Sequence, residues 1–161
     1  MGVSGCGKST IGEALAGRLG FEFLEGDQLH SVGDIAQMAS GHALNDAERA
    51  PWLTLVGETM ARDRAGHPGV VAACSALKRS YRDILRQHVP EAFFAWLDAS
   101  FDVVAARLIA RPHSFMPSSL LPSQFEALEP LGADELGVRV DAARSTDQIV
   151  ETIELALRAQ G

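Results

Sequence analysis

The start of the chain carries the side chains whose spacing points most directly to chemistry. Residues 2–9 read GVSGCGKS, which fits the pattern G-x-x-x-x-G-K-[ST] of a loop that binds phosphate. The glycines let successive backbone N–H groups point at an anion, and a helix that begins in the loop adds its positive end. Lys8 supplies a charge to the outer phosphates, and the Ser9 hydroxyl can bind Mg²⁺. The predicted nucleotide site therefore consists of Gly2, Val3, Ser4, Gly5, Cys6, Gly7, Lys8, Ser9 and Thr10.

A carboxylate follows the first predicted strand. Residues 21–24 (FEFL) have the composition of a strand that ends at Glu25, Gly26 and Asp27. Because the carboxyl ends of parallel strands line the ligand crevice, we expect Asp27 to face the phosphate loop. There it can accept the proton of a hydroxyl group that attacks the γ-phosphorus, as in a small-molecule kinase. The alternative is that Asp27 only caps the next helix.

Basic side chains in two further segments suit an anionic acceptor. Arg49 lies in LNDAERAPWL, and residues 78–86 (KRSYRDILR) place three arginines on one helical face. Guanidinium groups match the oxygens of carboxylates and phosphates. We expect Arg49, Lys78 and Arg82 to bind the acceptor, whereas Arg86 is better interpreted as part of a solvated face.

The order of apolar and helical segments predicts the framework that positions these groups. Strands alternate with helices, which is typical of a parallel sheet covered by helices on both faces. Strands are expected near 21–24, 70–74, 93–97 and 138–141, and helices from Lys8, over roughly 35–64, over 100–111 and from Ser145. Three prolines argue against regular structure between Arg111 and Pro122, so we predict a mobile lid over about 111–124.

The phosphate loop lies unusually close to Met1. Such a loop needs a buried strand that leads into it, and only Met1, Gly2 and Val3 precede the remaining loop residues. We expect these residues to form a stub in the middle of the sheet, so that the first strand is largely missing. Our hypothesis is that Met1 is an internal methionine and that the natural protein starts upstream.

Composition limits the class of protein and its partners. A chain of 161 residues with 47% hydrophobic and 22% charged residues is expected to form a single globular domain over 1–161. No apolar run approaches the roughly 20 residues of a membrane helix. A net charge of −7 argues against nucleic acid or an anionic membrane as a partner. Two cysteines do not make a disulfide framework, which favours a cytoplasmic location.

Five segments together resemble the bacterial gluconate kinases of the thermoresistant type. They are GVSGCGKST, FLEGDQLH, MASGHALNDAERAPWL, CSALKRSYRDILR and SFMPSSLLPSQFEALE, and they extend from the first residues to about Glu129. Phosphate loops are common, but the combination of GD-x-L-H, D-x-x-R-x-P-W-L, CSALK-x-x-YRD-x-LR and SQFE-x-LE is much more specific. The resemblance implies an α/β P-loop NTPase fold with a nucleoside-monophosphate-kinase-like parallel sheet and a lid.

The resemblance also implies an activity and further site residues. It implies phosphorylation of D-gluconate to 6-phospho-D-gluconate with ATP and Mg²⁺, by a homodimer. His30 would join Asp27 beside the acceptor, and Arg107 and Arg111 would flank the lid and close on the transferring phosphate. Lys8, Asp27 and Arg111 are thus the expected catalytic residues.

Three departures from the family pattern bear on affinity for the acceptor, and one of them is Ala43, where a proline is usual. The family usually continues after the position of His30 with Pro-x-x-Asn-x-x-Lys-Met, where this chain reads SVGDIAQM, and Ser114 takes the place of a histidine. The open alternatives are a shikimate-type or other small-hydroxyl kinase, and a nucleotide-binding module without catalysis.

Overall fold

The computed structural model describes residues 1–110 and 117–160. Seven helices and four strands occur in this part of the chain, in the order α1 (Lys8–Leu19), β1 (Glu22–Glu25), α2 (Val32–Ala39), α3 (Asp46–Arg64), β2 (Val70–Ala73), α4 (Arg79–His88), β3 (Phe94–Asp98), α5 (Phe101–Ile109), α6 (Leu121–Ala127), β4 (Gly137–Asp141) and α7 (Thr146–Arg158). Short 3₁₀ turns follow β1 and precede α6, at Gly26–Leu29 and Ser118–Leu120.

The strands form two parallel pairs on either side of the chain's first residues. β1 pairs with β2 from Glu22↔Val70 to Glu25↔Ala73, and β3 pairs with β4 from Phe94↔Gly137 to Asp98↔Asp141. The Gly2 N–H donates to the Ser75 carbonyl (3.0 Å), and the Leu97 N–H donates to the Met1 carbonyl (3.0 Å). Residues 1–2 thus lie between the two pairs as the predicted stub. An apolar cavity of about 430 Å³ adjoins Met1 between β2 and β3.

Helices cover both faces of the strands, which confirms the predicted α/β fold. On one face α1, α5 and α7 bury a cluster that includes Ile11, Leu15, Val104, Ile149 and Ile153. On the other face α3 and α4 bury Trp52, Leu53, Val56, Tyr81 and Leu85. Full burial of one aliphatic or aromatic side chain contributes roughly 1.5–3 kcal/mol. The two clusters therefore hold the ends of the strands, where the site lies, in a fixed frame.

The single helix predicted over roughly 35–64 is in fact two helices. α2 ends at Ala39 and is followed by Gly41 in the left-handed conformation (φ 86°). α3 then begins with a capping box: the Glu48 N–H donates to Asn45 Oδ1 (3.0 Å), and the Asn45 N–H donates to Glu48 Oε2 (2.7 Å). Such a cap satisfies N–H groups that a helix start leaves unpaired, so the chain starts a new helix at this point.

The predicted lid only partly overlaps the described residues. Positions 111–116 lie outside them, and α5 ends at Ile109 rather than at Arg111. The prediction that no regular helix runs through residues 111–122 stays a prediction; within the described residues α6 starts at Leu121 with Pro122 in its first turn, where a missing N–H costs no hydrogen bond. Leu120 and Leu121 are buried, so this end of the predicted lid is packed into the protein.

Within residues 1–110 and 117–160, none of the helices combines the length and apolar composition needed to span a bilayer.

Candidate active site

The phosphate loop adopts a backbone that depends on its glycines. Gly2, Gly5 and Gly7 have φ values of 141°, 80° and 109°, a region that residues with a Cβ rarely adopt. A Cβ at Gly2 would lie 2.8 Å from the Leu97 carbonyl oxygen. Gly7 caps α1 without a side-chain hydrogen bond, so the first N–H groups of this helix are oriented for a ligand.

Three side chains brace this loop. Lys8 Nζ donates to the Val3 carbonyl (3.0 Å), and Arg107 donates to the carbonyls of Cys6 (3.1 Å) and Ala142 (2.9 Å). The Ser4 N–H donates to Gln124 Oε1 (2.7 Å), which links the loop to α6. Arg107 thus lies beside the loop, where its Nη atoms contact backbone oxygens. Its contact with nucleotide, like that of the loop residues, stays a prediction.

The Asp27 carboxylate lies at the end of β1, on a turn that α3 holds in place. Trp52 Nε1 donates to the Gly26 carbonyl (2.8 Å), and the His30 ring stacks on Trp52 with ring centroids 4.1 Å apart. The Asp27 side chain is about 34% exposed, so its oxygens can meet a ligand. The carboxylate is therefore positioned by packing and remains accessible.

His30 is enclosed between the two carboxylates of Asp27 and Asp34. Its side chain is 2% exposed, its Nε2 lies 4.0 Å from Asp27 Oδ1 and its Nδ1 lies 3.9 Å from Asp34 Oδ2. Burial lowers the pKa of His30, and the nearby Asp27 only partly opposes this effect. The imidazole is therefore neutral near pH 7 and supports the Asp27 turn mainly by packing.

A cleft of about 550 Å³ lies between the start of α3, the loop that precedes α4, and α6. Arg49 lines it and is only 8% exposed. Its Nε donates to the Leu44 carbonyl (3.1 Å), and its guanidinium carbon lies 5.9 Å from the centre of the Tyr81 ring. Among residues 1–110 and 117–160, no further hydrogen bond or ion pair involves this guanidinium. The cleft thus contains a nearly buried cation with unused donors.

Lys78 lies in the same cleft but already has a partner. Its Nζ donates to Asp46 Oδ1 (2.8 Å) and Oδ2 (3.0 Å), and Tyr81 Oη donates to Asp46 Oδ1 (2.5 Å). Hydrogen bonds from Lys78 and then Tyr81 lower the pKa of Asp46, so this side chain is ionised at neutral pH. A ligand that enters the cleft therefore meets Lys78 and Asp46 as a pair.

Arg82, which was predicted to bind the acceptor, does not line the cleft, and its donors are all taken by protein groups. It is fully buried, and its Nε and Nη2 donate to the two oxygens of Glu135 (2.7 and 2.8 Å). Its remaining donors go to the carbonyls of Ala76, Leu77, Glu129 and Pro130. Arg86 also contacts Glu135 (2.9 Å) and pairs with Asp83 (2.8 Å). Arg82 therefore fastens the loop before α4 to residues 129–135.

Sequence reasoning did not select four residues that shape this site. Asp46 and Tyr81 line the cleft, Trp52 supports the Asp27 turn and Gln124 contacts the phosphate loop. Spacing offered a signal for the first two, since Asp46 precedes Arg49 by three residues and Tyr81 follows Lys78 by three, the separation of neighbours on a helix. Arg111, predicted as catalytic, lies outside the described residues.

The protein ligands available near the phosphate loop suit Mg²⁺ better than a metal ion that is coordinated only by protein side chains. The Ser9 side chain is exposed at the first turn of α1, and no group of three or more His, Cys, Asp or Glu side chains with metal-binding geometry occurs in the described part of the chain. Mg²⁺ in kinases usually keeps several waters and binds phosphate oxygens with one or two protein ligands. A single hydroxyl beside the phosphate loop is consistent with that chemistry.

Known proteins share both the sequence and the fold of this chain. The sequence model of the shikimate kinase family matches residues 4–154. A gluconokinase of Gluconobacter oxydans (strain 621H) is 46% identical over 95% of this chain and 86% of that protein. The crystal structure of an unliganded sugar kinase from Janibacter sp. HTCC2649 has a TM-score of 0.91 at 43% identity, covering 98% of this chain and 91% of the other. A gluconokinase from Sinorhizobium meliloti 1021 has a TM-score of 0.85 at 43% identity, covering 99% and 90%. The chain is a kinase that belongs to the shikimate kinase family and, within it, groups with the gluconokinases.

Proposed function

We propose that the protein transfers the γ-phosphoryl group of ATP to the terminal hydroxyl of D-gluconate and forms 6-phospho-D-gluconate and ADP. The observation that carries this proposal is the nearly buried Arg49, whose guanidinium has unused donors in a cleft that reaches the phosphate loop through Gln124. Such a cation suits the carboxylate of a sugar acid. The similarity to gluconokinases supports the choice of gluconate.

The reaction requires the acceptor hydroxyl to be positioned in line with the γ-phosphorus. The loop amides and Lys8 hold the phosphates, Arg49 holds the carboxylate at the other end of the acceptor, and Lys78 contacts the acceptor from the wall of the same cleft. The hydroxyl oxygen forms a bond to the γ-phosphorus, the bond from that phosphorus to the β–γ bridging oxygen breaks, and the hydroxyl proton passes to Asp27. His30 and Trp52 keep that carboxylate in place.

Ser9 and the phosphate oxygens would hold Mg²⁺, which neutralises part of the phosphate charge when bound. Arg107 and Arg111 remain proposed contacts to the nucleotide and the transferring phosphate. Their role follows from the resemblance to the family and from the position of Arg107 beside the loop.

A coupled assay of ADP release tests the proposal. With ATP and Mg²⁺, we expect turnover on gluconate and little on shikimate, and loss of turnover in Lys8→Ala. Equilibrium binding of ATP to the wild-type protein separates the alternatives. ATP binding without ADP release on gluconate would contradict the proposal and favour a module without catalysis, whereas faster turnover on shikimate would favour a shikimate-type kinase.

We also propose that the protein is a cytoplasmic homodimer, as the family resemblance implies. Light scattering coupled to size exclusion would detect twice the 17.2 kDa chain mass if it is dimeric. A single 17.2 kDa species at assay concentration would contradict the dimer.

A further inference from the structure

Asp46, Lys78 and Tyr81 form a connected group on the wall of the acceptor cleft. Asp46 Oδ1 accepts hydrogen bonds from both Lys78 Nζ and Tyr81 Oη, while Oδ2 accepts one from Lys78. Lys78 Nζ also lies 5.5 Å from the centre of the Tyr81 ring. The contacts cross from the start of α3 to the start of α4, so the group joins two separate elements of the site.

This group still has hydrogen-bonding capacity that faces the cleft. A carboxylate offers about four lone-pair positions and an ammonium three donors, while a phenol can accept as well as donate. The Asp46 side chain is 62% exposed and that of Lys78 is 30% exposed, so both reach open space. Tyr81 is buried in the wall and keeps the carboxylate in one orientation.

The donors and acceptors of Asp46, Lys78 and Tyr81 match the hydroxyl groups of an acceptor better than its carboxylate. A polyol chain carries a hydroxyl on each carbon, and each hydroxyl can donate to Asp46 and accept from Lys78. If the carboxylate of the acceptor lay at this position, Asp46 would repel it, because Asp46 remains ionised when Lys78 and Tyr81 lower its pKa. Arg49, which has unused donors nearby, is the better partner for the carboxylate of the acceptor.

We propose that Asp46, oriented by Tyr81, is a specificity-determining residue that makes the cleft select acids with a hydroxylated chain. The inference rests on the proposed function, since it assigns a role in recognising the same acceptor. A site built to hydrogen-bond a hydroxyl discriminates strongly against an analogue that lacks it, because the polar groups of the site are then left without partners. Loss of one hydrogen bond to a charged group corresponds to roughly 10- to 100-fold in affinity or rate.

Two acceptors of equal length separate this role from a purely structural one. Gluconate and 6-hydroxyhexanoate share a carboxylate and a terminal hydroxyl, but only gluconate carries hydroxyls between them. The experiment measures kcat/KM for both acceptors, and the KM for ATP, in wild type, Asp46→Asn and Tyr81→Phe. Asp134→Asn is the matched control, since Asp134 forms an exposed ion pair with Arg79 and does not line the cleft.

We expect Asp46→Asn to lower kcat/KM for gluconate by roughly 10- to 100-fold and to leave that for 6-hydroxyhexanoate within about threefold. Tyr81→Phe should lower the ratio of kcat/KM for gluconate to kcat/KM for 6-hydroxyhexanoate by roughly tenfold, and Asp134→Asn should not change that ratio. An equal loss on both acceptors, or an unchanged ratio, would overturn the inference while leaving gluconate phosphorylation intact. Absence of wild-type turnover on gluconate would instead refute the proposed function and with it the inference.

Discussion

Replacing Glu135 by glutamine tests how much the buried ion pair with Arg82 contributes to the free energy of unfolding. The Arg82 side chain is 0% exposed and that of Glu135 is 1% exposed, and two hydrogen bonds of 2.7 and 2.8 Å join them. These bonds, opposed by burial, lower the pKa of Glu135 from 4.5 to about 2. That difference corresponds to about 3 kcal/mol of stability at pH 7, which agrees with the roughly 3–5 kcal/mol lost when one partner of a buried pair is removed.

Urea unfolding gives the measurement. With a slope of about 2 kcal/mol per molar urea, Glu135→Gln should lower the unfolding midpoint by roughly 1.5 M at pH 7. Because the folded pKa is depressed, the extra stability of wild type is present above pH 4.5 and is lost as pH falls from 4.5 toward 2. The difference between wild type and variant should therefore shrink in that window.

An exposed ion pair that also joins α4 to residues 129–135 provides the control. Asp134→Asn removes the partner of Arg79, whose contacts are open to solvent, and such pairs contribute little. If Glu135→Gln shifted the midpoint no more than Asp134→Asn does, or if the wild-type excess stayed constant down to pH 3, the reasoning about the buried pair would be refuted.

Three further changes test other parts of the structure. Asp27→Asn should leave ATP binding near normal and lower kcat on gluconate by roughly 10²–10⁴, the usual effect of a lost general base; an unchanged rate would show that the carboxylate is structural. Trp52→Phe removes the 2.8 Å hydrogen bond to Gly26 and should lower kcat with ATP affinity retained, measured by steady-state kinetics; a change confined to ATP affinity would argue against a role in positioning Asp27. Ser145→Ala removes the cap of α7 and should cost about 1 kcal/mol in urea unfolding with kcat unchanged; full stability would show that the cap is dispensable.

Features set by short stretches of sequence could be predicted. The phosphate loop with its helix, the strand before Asp27 and the capped last helix each depend on a few adjacent residues, and the structure contains all three. The division between α2 and α3 was missed although its signal is local, because the capping box of Asn45 and Glu48 lies inside an otherwise helical stretch.

Roles that depend on distant partners could not be predicted in this way. Arg82 shares a helical face with Arg79 and Arg86, but its environment is decided by Glu135, which is 53 positions away. Tyr81 and Asp46 are 35 positions apart and meet only after α3 and α4 pack. Spacing within one helix cannot show which cation will find an internal carboxylate and which will remain available to a ligand.

The hydrogen bond from Trp52 to Gly26 also constrains the separation between Arg49 and Asp27. Arg49 and Trp52 lie on one rigid helix, and Trp52 anchors that helix to the turn that bears Asp27. In the proposed function, the acceptor therefore has to span a fixed separation between Arg49, which binds its carboxylate, and Asp27, which accepts its hydroxyl proton. An aldonic acid of another length would satisfy these two contacts together less well.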